Sequence, residues 1–321
     1  MTYKIEIQPA GVSFISRKNI LDDALAQSIP LEYSCKTGDC SMCSAEIISG
    51  EIENEVGDIV SSGSVLICQS NAKSDATLKT HYFPELIGQK NQRIPCKVSS
   101  FNFVTDDIIV IKFRLPPTAN FDYLPGQYVD LSFKGIKRSY SIANSKQVLD
   151  CVELHIRKVP NGKMSELLFN DLRENQLMRI EGPKGTFFVK TSKKPLILIA
   201  TGTGIAPIKA IVEQLVNNSD KREIHIYWGM QYANELYCKE LLVLAVEHQY
   251  INFIPVLSKE VSEQYRNGYI QDAVCQDFDL LADYDVYACG SLKMIQDAKN
   301  KFLNKQLPLE SFHSDAFTPA K

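Results

Sequence analysis

Four cysteines in the first quarter of the chain constrain its fold more than any other feature. Three lie within nine residues and the fourth follows after 24 intervening residues, at Cys35, Cys40, Cys43 and Cys68. Thiolates with this C-x4-C-x2-C spacing and one distant partner predict the ligand set of a [2Fe-2S] cluster. Gly38 and Ser41 keep the loop small, so that backbone N–H groups can approach the cluster sulfurs.

A structural zinc site is the alternative interpretation of these cysteines, because four thiolates also suit tetrahedral zinc. Zinc sites usually contain two C-x2-C pairs, whereas Cys68 has no cysteine neighbour. The spacing therefore favours the iron-sulfur cluster. The isolated cysteines are more typical of small buried residues, and we assign no role to Cys96, Cys151, Cys238 or Cys275.

Composition bounds the class of protein. A chain of 321 residues that is 45% hydrophobic can form two or three domains. Its net charge of -3, without a basic stripe, argues against a nucleic-acid partner. The N-terminus does not resemble a signal peptide, and apolar runs such as 195–200 are too short to cross a bilayer. Nine cysteines, an odd number and unevenly clustered, do not resemble a disulfide framework. We therefore expect a cytoplasmic protein with no membrane association.

Three composition regimes predict three domains, at 1–90, 91–191 and 192–321, with an aperiodic linker around Gly88 between the first two. The first regime holds short alternating strands, the cysteine loop and one helix at 20–26, with Asn19 as its N-cap.

The second and third regimes differ in rhythm. The second is rich in strands separated by proline or glycine turns, which predicts a small antiparallel barrel with strands at 108–115, 127–133, 139–142, 152–157 and 177–181. The third alternates buried strands at 196–200, 224–228 and 286–289 with helices that include 208–216 and 235–247. This alternation predicts a doubly wound parallel sheet. The expected fold class is multidomain, α+β and α/β.

The segment Arg138-Ser139-Tyr140-Ser141 is a candidate flavin site. Arg138 can bind a phosphate, Tyr140 can stack on an isoalloxazine ring, and Ser141 can hydrogen-bond the ring edge near N5. Taken alone, the segment could equally be a strand with an exposed arginine and a half-buried tyrosine.

A second element strengthens the flavin interpretation. His155 lies on the strand at 152–157, and a glycine turn follows it with Gly162, Lys163, Met164 and Ser165. Ser165 is the predicted N-cap of a helix ending at Leu172, and a glycine turn at a helix N-terminus can bind a diphosphate. A simple turn and cap is the alternative, but together the two elements predict an FAD site.

The strand at 196–200 leads directly into a glycine-rich turn and a helix, with Gly202, Thr203, Gly204 and Pro207 at the junction. Glycines there let the backbone approach the pyrophosphate of a pyridine nucleotide. Pro207 replaces the third glycine of the dinucleotide fingerprint, which points away from an ordinary Rossmann dehydrogenase.

Further candidates for the nicotinamide nucleotide lie downstream. Cys289 and Gly290 end a predicted strand at the edge of the sheet where ligands bind, although a packed cysteine before a turn is the alternative. Glu235 can accept a hydrogen bond from a ribose 2'-hydroxyl, and the segment around it lacks an arginine that would bind the 2'-phosphate of NADPH. We therefore expect NADH, with NADPH still possible. Phe317 is either a loose terminal aromatic or a lid over the flavin.

These motifs, in this order, resemble the ferredoxin-NADP reductase-like iron-sulfur flavoreductases with an N-terminal plant-type ferredoxin domain, over the whole chain. The resemblance implies a β-grasp ferredoxin domain, an FAD-binding barrel and an NAD-binding domain. It implies that Arg138, Tyr140 and Ser141 hold the FAD, that Gly202 to Pro207 hold the pyridine nucleotide, and that Cys289 and Gly290 meet the nicotinamide. Tyr140, Ser141 and Cys289 are thereby the candidate catalytic residues, acting by positioning the two rings. Asp39, where a small neutral residue is common, is a departure that bears on the reduction potential.

Within this family, the amino-acid sequences of four segments are most similar to those of the reductases of 3,6-dideoxyhexose synthesis. The segments are 115–119, 138–144, 181–188 and 287–292. The resemblance implies an electron acceptor, which is a pyridoxamine-phosphate-dependent [2Fe-2S] dehydrase of a CDP-hexose. The alternative is the reductase component of a multicomponent mono- or dioxygenase, because the same modules serve both partners.

Overall fold

The structure is a computed structural model that describes residues 1–147 and 151–317. The chain divides into two compact units, Met1–Lys90 and Asn91–Lys321. The first unit has the bounds of the first predicted domain. No helix in the described parts of the chain is long and apolar enough to cross a bilayer.

The first unit contains one helix and two small sheets. Its elements are β1 (Tyr3–Gln8), β2 (Val12–Ser16), α1 (Ile20–Ala26), β3 (Ser44–Ser49), β4 (Ile52–Glu53), β5 (Ile59–Val60), β6 (Ser64–Leu66), β7 (Asn71–Ala72) and β8 (Ala76–Lys79). The larger sheet has the order β2-β1-β8-β3-β6, in which β1 and β8 are parallel, and the smaller sheet has the order β5-β4-β7.

Helix α1 begins and ends where the sequence predicts. The Oδ1 atom of Asn19 accepts a hydrogen bond from the backbone N–H of Asp22 at 3.0 Å, so Asn19 is the N-cap. Ile20 and Leu21 of the helix are fully buried against the sheet, in the same core that contains Cys43 and Cys68. The cysteine loop is therefore anchored on a packed apolar core.

The second unit begins with a six-stranded antiparallel sheet that curves toward closure. Its elements are β9 (Gln92–Phe103), β10 (Ile108–Arg114), β11 (Tyr128–Phe133), β12 (Ile136–Ser141), β13 (Val152–Arg157), α2 (Lys163–Asn170) and β14 (Leu177–Lys184). The strand order is β12-β11-β14-β9-β10-β13. An isolated antiparallel bridge between Ile142 and Leu154 joins the two edges, so the predicted antiparallel barrel is confirmed.

Helix α2 differs from the prediction at both ends. Gly162 is its N-cap, the helix begins at Lys163, and it ends at Asn170 rather than Leu172. Ser165 cannot be the N-cap because it lies inside the helix, where its Oγ accepts a hydrogen bond from the backbone N–H of Val159 at 2.9 Å.

A six-stranded parallel sheet forms the rest of the second unit. Its elements are β15 (Leu196–Thr201), α3 (Ile205–Asn217), β16 (Ile224–Met230), α4 (Lys239–Glu247), β17 (Ile251–Leu257), β18 (Arg266–Asn267), α5 (Ile270–Asp277), β19 (Asp285–Ser291), α6 (Leu292–Asn304) and β20 (Phe312–Phe317). The order is β18-β17-β16-β15-β19-β20. Because the strand order reverses between β15 and β19, this pair forms the switch point at which ligands bind in such sheets. The doubly wound fold is confirmed.

The predicted helix at 235–247 is wrong in its first part. A short 3-10 turn spans Ala233–Glu235, and α4 begins only at Lys239. The intervening Tyr237 and Cys238 turn inward, and Cys238 carries a non-helical backbone with φ -83° and ψ 75°. Burial of the tyrosine ring against Trp228 therefore interrupts the helix. The predicted domain boundary at 191 lies between β14 and β15, and it stays a prediction.

Candidate functional site

The four candidate cluster ligands lie in two pairs. Cys43 and Cys68 are buried with their Sγ atoms 2.9 Å apart, whereas Cys35 and Cys40 are half-buried and hydrogen-bonded to each other. Within residues 1–147 and 151–317, no group of three or more His, Cys, Asp or Glu side chains is arranged to hold a single metal ion. Two pairs of thiolates match instead the requirement of a cluster with two irons and four cysteine ligands.

Each pair shares a proton unequally. The hydrogen bond from Cys40 lowers the pKa of the Cys35 thiol to about 4, and the hydrogen bond from Cys43 lowers the pKa of the Cys68 thiol to about 7. The same bonds raise the pKa of Cys40 and that of Cys43 above their usual values. Binding of a cluster would release the protons that the pairs retain, because only thiolates act as ligands.

Backbone N–H groups already point at these sulfurs. Thr37 donates its N–H to Sγ of Cys35 at 3.4 Å, and the N–H of Gly38 hydrogen-bonds Cys68. Gly38 has a φ of +86°, and a Cβ at this position would lie 3.2 Å from Cγ of Gln69. The loop therefore fits a group with several anionic sulfurs, because such sulfurs accept hydrogen bonds from the backbone.

The candidate flavin residues lie on β12, an edge strand of the barrel sheet. Arg138 and Tyr140 are both half-buried on one face of the strand, and Ser141 at its end is buried. Burial raises the pKa of the Tyr140 hydroxyl to about 12, so this group is protonated at neutral pH. Ser139 points to the other face, where its Oγ donates to Asp130 at 2.5 Å. The alternation thus presents Arg138 and Tyr140 together, as a flavin site requires.

The glycine turn before α2 presents an open helix N-terminus. No side chain caps the helix, because Gly162 occupies the N-cap position. Ser165 and Met164 are buried in the first turn, and Lys163 begins it. The N–H groups of such a turn can bind an anion, so this geometry fits a diphosphate.

Both ring nitrogens of His155 contact other side chains of the protein. Its side chain is buried, with Nδ1 3.0 Å from Oη of Tyr237 and Nε2 3.0 Å from Oε1 of Glu153. Both nitrogens thus contact protein groups. The predicted contact of His155 with FAD stays a prediction.

The predicted nucleotide turn packs directly on the neighbouring strand. A 3-10 turn at Gly202–Gly204 joins β15 to α3, and Thr203 is half-buried at its centre. A Cβ on Gly204 would lie 2.3 Å from the carbonyl oxygen of Cys289, so only glycine fits there. Pro207 is accommodated in the first turn of α3, where its missing N–H costs no helical hydrogen bond.

The end of β19 lies against the same turn. Gly290 has a φ of +140°, and a Cβ there would lie 2.2 Å from Oγ1 of Thr201. Cys289 is 0% exposed, and burial raises the pKa of its thiol well above the usual value, so the group is neutral. Phe317 is the last residue of β20, paired with Ser291 and 37% exposed. It is therefore part of the sheet edge next to Gly290 and not a loose terminal residue.

Glu235 stabilises a local turn. Its Oε2 accepts hydrogen bonds from the backbone N–H groups of Gln231 at 2.9 Å and Tyr232 at 3.1 Å. The carboxylate lies beyond the carboxyl end of β16, at the edge of the sheet where the adenosine half of a dinucleotide binds. Its predicted contact with a ribose hydroxyl stays a prediction.

Arg157 was missed by the sequence analysis and lies beside the nucleotide turn. A Cβ on Gly202 would lie 3.4 Å from Nη1 of Arg157. Nε lies 3.1 Å from Oδ2 of Asp107, yet neither Nε nor Nη2 makes a geometrically good hydrogen bond within the described residues, and both are buried. Unsatisfied guanidinium nitrogens beside a glycine turn fit an anionic ligand. The only signal in the sequence is a cation at the end of a strand.

Three family profiles match consecutive parts of the chain. They are described as a 2Fe-2S iron-sulfur cluster binding domain at 5–73, an oxidoreductase FAD-binding domain at 95–189 and an oxidoreductase NAD-binding domain at 198–300. Together they establish a [2Fe-2S] cluster, FAD and NAD(P)H as the cofactors of this chain.

Relatives match along the full length. Protein RfbI of Salmonella typhimurium is 46% identical, with 99% of this chain and 97% of the relative covered. The CDP-6-deoxy-L-threo-D-glycero-4-hexulose-3-dehydrase reductase of Yersinia pseudotuberculosis is 44% identical, with 100% of both covered. Among solved structures, the cytochrome P450 reductase GcoB of Amycolatopsis is similar, with a TM-score of 0.80, 26% identity and 99% and 100% of the two chains covered. The chain belongs to the ferredoxin-NADP reductase-like iron-sulfur flavoprotein reductases, NAD(P)H oxidoreductases that carry an N-terminal plant-type ferredoxin domain.

Proposed function

We propose that this reductase passes electrons from NADH, through FAD and the [2Fe-2S] cluster, to a pyridoxamine-phosphate-dependent iron-sulfur dehydrase. The dehydrase would act on CDP-4-keto-6-deoxyglucose, in the C3 deoxygenation that leads to 3,6-dideoxyhexoses. The observation that carries the proposal is the similarity to the Yersinia 3-dehydrase reductase, whose sequence is 44% identical to this one over the whole of both chains. The similarity to oxygenase reductases is weaker, with 30% identity to reductase component 1 of the terephthalate 1,2-dioxygenase of Comamonas and 32% identity to the propane 2-monooxygenase reductase of Mycolicibacterium goodii.

The proposed cofactor contacts follow from the geometry of the second unit. Arg138 binds a phosphate of FAD, Tyr140 packs on its ring and Ser141 hydrogen-bonds the ring edge. The turn from Gly162 to Ser165 binds the diphosphate of FAD. These groups supply binding and orientation, since the protonated Tyr140 hydroxyl can donate a hydrogen bond but does not act as a base.

The proposed nucleotide contacts lie at the switch point of the parallel sheet. Gly202, Thr203, Gly204 and Pro207 form the turn that approaches the pyrophosphate, and Arg157 is added here as an anion partner. Cys289 and Gly290 lie against the nicotinamide, Glu235 accepts a hydrogen bond from the ribose, and Phe317 is a lid over the flavin. Burial raises the pKa of the Cys289 thiol well above its usual value, so this group adds no charge at the edge.

The cofactors complement one another chemically: bound FAD can take up two electrons together and release them singly, which a cluster that carries one electron requires. Cys35, Cys40, Cys43 and Cys68 are the proposed cluster ligands. We also propose domain limits of 1–90, 91–191 and 192–321, and a cytoplasmic location for the protein.

Reconstitution with the dehydrase tests this proposal. The purified reductase is mixed anaerobically with NADH, a CDP-4-keto-6-deoxyhexose and the dehydrase, and the sugar product is analysed by mass spectrometry. We expect a 3-deoxy product that requires NADH, the reductase and the dehydrase together. The matched control is a reaction with an Arg138→Ala reductase that lacks FAD, which should give no product.

Absence of the 3-deoxy product, with full NADH-dependent reduction of an artificial one-electron acceptor, would contradict the dehydrase as partner. An oxygenase component would then be the acceptor. That alternative would be established if the reductase and NADH supported substrate oxygenation by an oxygenase encoded by a neighbouring gene, without any deoxygenation of the CDP-sugar.

A further inference from the structure

Two side chains on α3 hold the backbone that follows the flavin motif. Lys209 and Glu213 lie one helical turn apart, with Nζ 2.6 Å from Oε1. Nζ of Lys209 donates to the carbonyl oxygen of Ala143 at 3.1 Å, and Oε2 of Glu213 accepts from the backbone N–H of Ser145 at 2.8 Å. Segment 143–145 begins two residues after Ser141, the last residue of β12. The helix is therefore joined by directional hydrogen bonds to the segment that continues from the candidate flavin-binding strand.

A second set of contacts ties the same lysine to the other edge of the barrel sheet. Nζ of Lys209 lies 3.1 Å from Oε1 of Glu153 on β13, which also contacts Nε2 of His155 at 3.0 Å. Lys209 is 2% exposed and Glu153 is 4% exposed. Lys112, whose side chain is 40% exposed, lies 3.6 Å from the other oxygen of Glu153, so two lysines, one buried and one partly exposed, offset the two carboxylates.

The network continues to the nucleotide turn. Tyr237 hydrogen-bonds His155 and packs edge-to-face on Trp228 with ring centroids 5.3 Å apart. Nε1 of Trp228 donates to the carbonyl oxygen of Gly202 at 2.9 Å. The turn at Gly202–Gly204 is thus held from two directions, by Trp228 and by α3, which begins at Ile205.

A stabilising role alone does not account for these residues. Buried ion pairs contribute little net stability compared with apolar side chains of similar size. The remaining buried face of α3 is apolar, with Ile205, Ile208, Ile211, Val212 and Leu215. What the charged pair adds is direction, because hydrogen bonds specify one position of the helix along the barrel strand.

We propose that Lys209 and Glu213 are positioning residues for hydride transfer, which fix the nucleotide-binding turn in register with the flavin-binding strand. A displacement of about 1 Å between reacting groups can slow a reaction roughly a hundredfold, so register at this joint affects rate. The inference rests on the NAD(P)H and FAD chemistry of the family and not on the identity of the electron acceptor.

The test uses the full-length protein with FAD and cluster bound. The double variant Lys209→Met/Glu213→Gln removes both charges of the pair, while Glu153 keeps its contacts with His155 and Lys112. Anaerobic stopped-flow reduction of the flavin over a range of NADH concentrations gives a limiting rate and an apparent Kd. Hydrogen exchange at the Ser145 amide is measured separately, without NADH. The matched control, Lys239→Met/Glu247→Gln, makes the same changes at exposed positions of α4.

We expect the limiting rate of the double variant to fall about tenfold or more, with an apparent Kd within about twofold of the wild type. The Ser145 amide should exchange at least about tenfold faster. Lys209→Arg, which keeps the charge and donors, should recover most of the rate. The α4 control should match the wild type in every measurement.

An unchanged limiting rate in the double variant would overturn the proposal, even if its melting temperature falls. So would a slower rate that is explained entirely by lost FAD or by weaker NADH binding. Should the double variant fail to fold, Glu213→Gln decides the question, because it keeps the shape of the side chain but has one oxygen, which can accept from only one of Lys209 and Ser145. A limiting rate equal to the wild type in Glu213→Gln would then overturn the proposal, and a rate lowered at least about threefold would support it.

Discussion

The indole N–H of Trp228 donates to the carbonyl oxygen of Gly202 at 2.9 Å, from a side chain that is 1% exposed. The same carbonyl oxygen accepts the backbone N–H of Ile205, so the indole adds a second hydrogen bond to a 3-10 turn that has no side-chain cap and begins at a φ of +57°. A buried aromatic on one strand thereby fixes the turn at the end of its neighbour. The nucleotide site is thus built from packing that extends beyond the glycine motif itself.

Replacing this tryptophan should weaken nucleotide binding. Trp228→Phe retains an aromatic ring and removes the donor, which costs about 1 kcal/mol and should raise the Kd for NADH about fivefold. Tyr227→Phe is the matched control, because it removes the hydrogen bond of an adjacent buried aromatic to Asp277 instead. Equilibrium titration of the FAD-bound protein measures both constants. Equal Kd values for Trp228→Phe and the wild type would contradict this role.

Arg157 should bind the anionic part of the nucleotide. Arg157→Met removes a charge whose buried nitrogens lack good partners in the described chain, so the Kd for NADH should rise about tenfold and depend less on salt. Lys158→Met changes the neighbouring exposed cation and should leave the Kd near the wild-type value. The two variants are compared by titration at low and high ionic strength. Identical salt dependence in Arg157→Met and wild type would rule out the contact.

Arg138 should be needed for FAD. Arg138→Ala removes the proposed phosphate partner, so the purified variant should contain less than about a tenth of the FAD of the wild type. The cluster should stay in place because its four candidate ligands lie in the first unit. Flavin and iron are quantified after gel filtration, with Lys134→Ala at an exposed turn of the same sheet as the control. Full retention of FAD would refute the assignment of Arg138.

Glu153 should make the second unit sensitive to acid. Burial alone would raise the pKa of this carboxyl, but the hydrogen bond from His155 and the charge of Lys209 bring its pKa down to about 2, from an ordinary value of 4.5. A lowered pKa stabilises the folded state above pH 4.5, and this stabilisation is lost as the pH falls from 4.5 toward 2. The difference corresponds to on the order of 3 kcal/mol at neutral pH.

Glu153→Gln should therefore have a lower free energy of unfolding than the wild type at pH 6. The difference between the two free energies should become smaller as the pH falls below 4.5. Urea unfolding followed by tryptophan fluorescence measures it, because Trp228 is the single tryptophan and lies in the second unit. Glu174→Gln, an exposed position, should unfold like the wild type. A gap between Glu153→Gln and wild type that does not change with pH would contradict the assignment.

Local patterns predicted much of this architecture. The strand at 196–200 follows from an uninterrupted apolar run, and the start of the helix at 20–26 follows from a capping asparagine. Both signals are properties of neighbouring residues. The alternation of β15, α3 and β16 gave the parallel sheet for the same reason. The cysteine spacing predicted the cluster, which the family profile bears out.

Long-range contacts account for what the sequence did not predict. Lys209 is separated from Glu153 by 56 positions, and lysines are mostly exposed, so nothing local indicates that this one is buried. Burial of Tyr237 interrupts a helix that periodicity alone extends from 235 to 247. The partners of His155 likewise depend on Tyr237, 82 positions away. Such contacts are decided by tertiary packing.

Electrons from NADH should reach the four-cysteine cluster. Electron paramagnetic resonance at low temperature, after anaerobic addition of NADH, detects this transfer, because a one-electron-reduced [2Fe-2S] cluster is paramagnetic. Cys68→Ser is the control, since it removes one proposed ligand and should abolish the signal while NADH still bleaches the flavin. We predict a reduced-cluster signal in the wild type that approaches one spin per protein. A cluster that stays oxidised while the flavin is fully reduced by NADH would contradict the account.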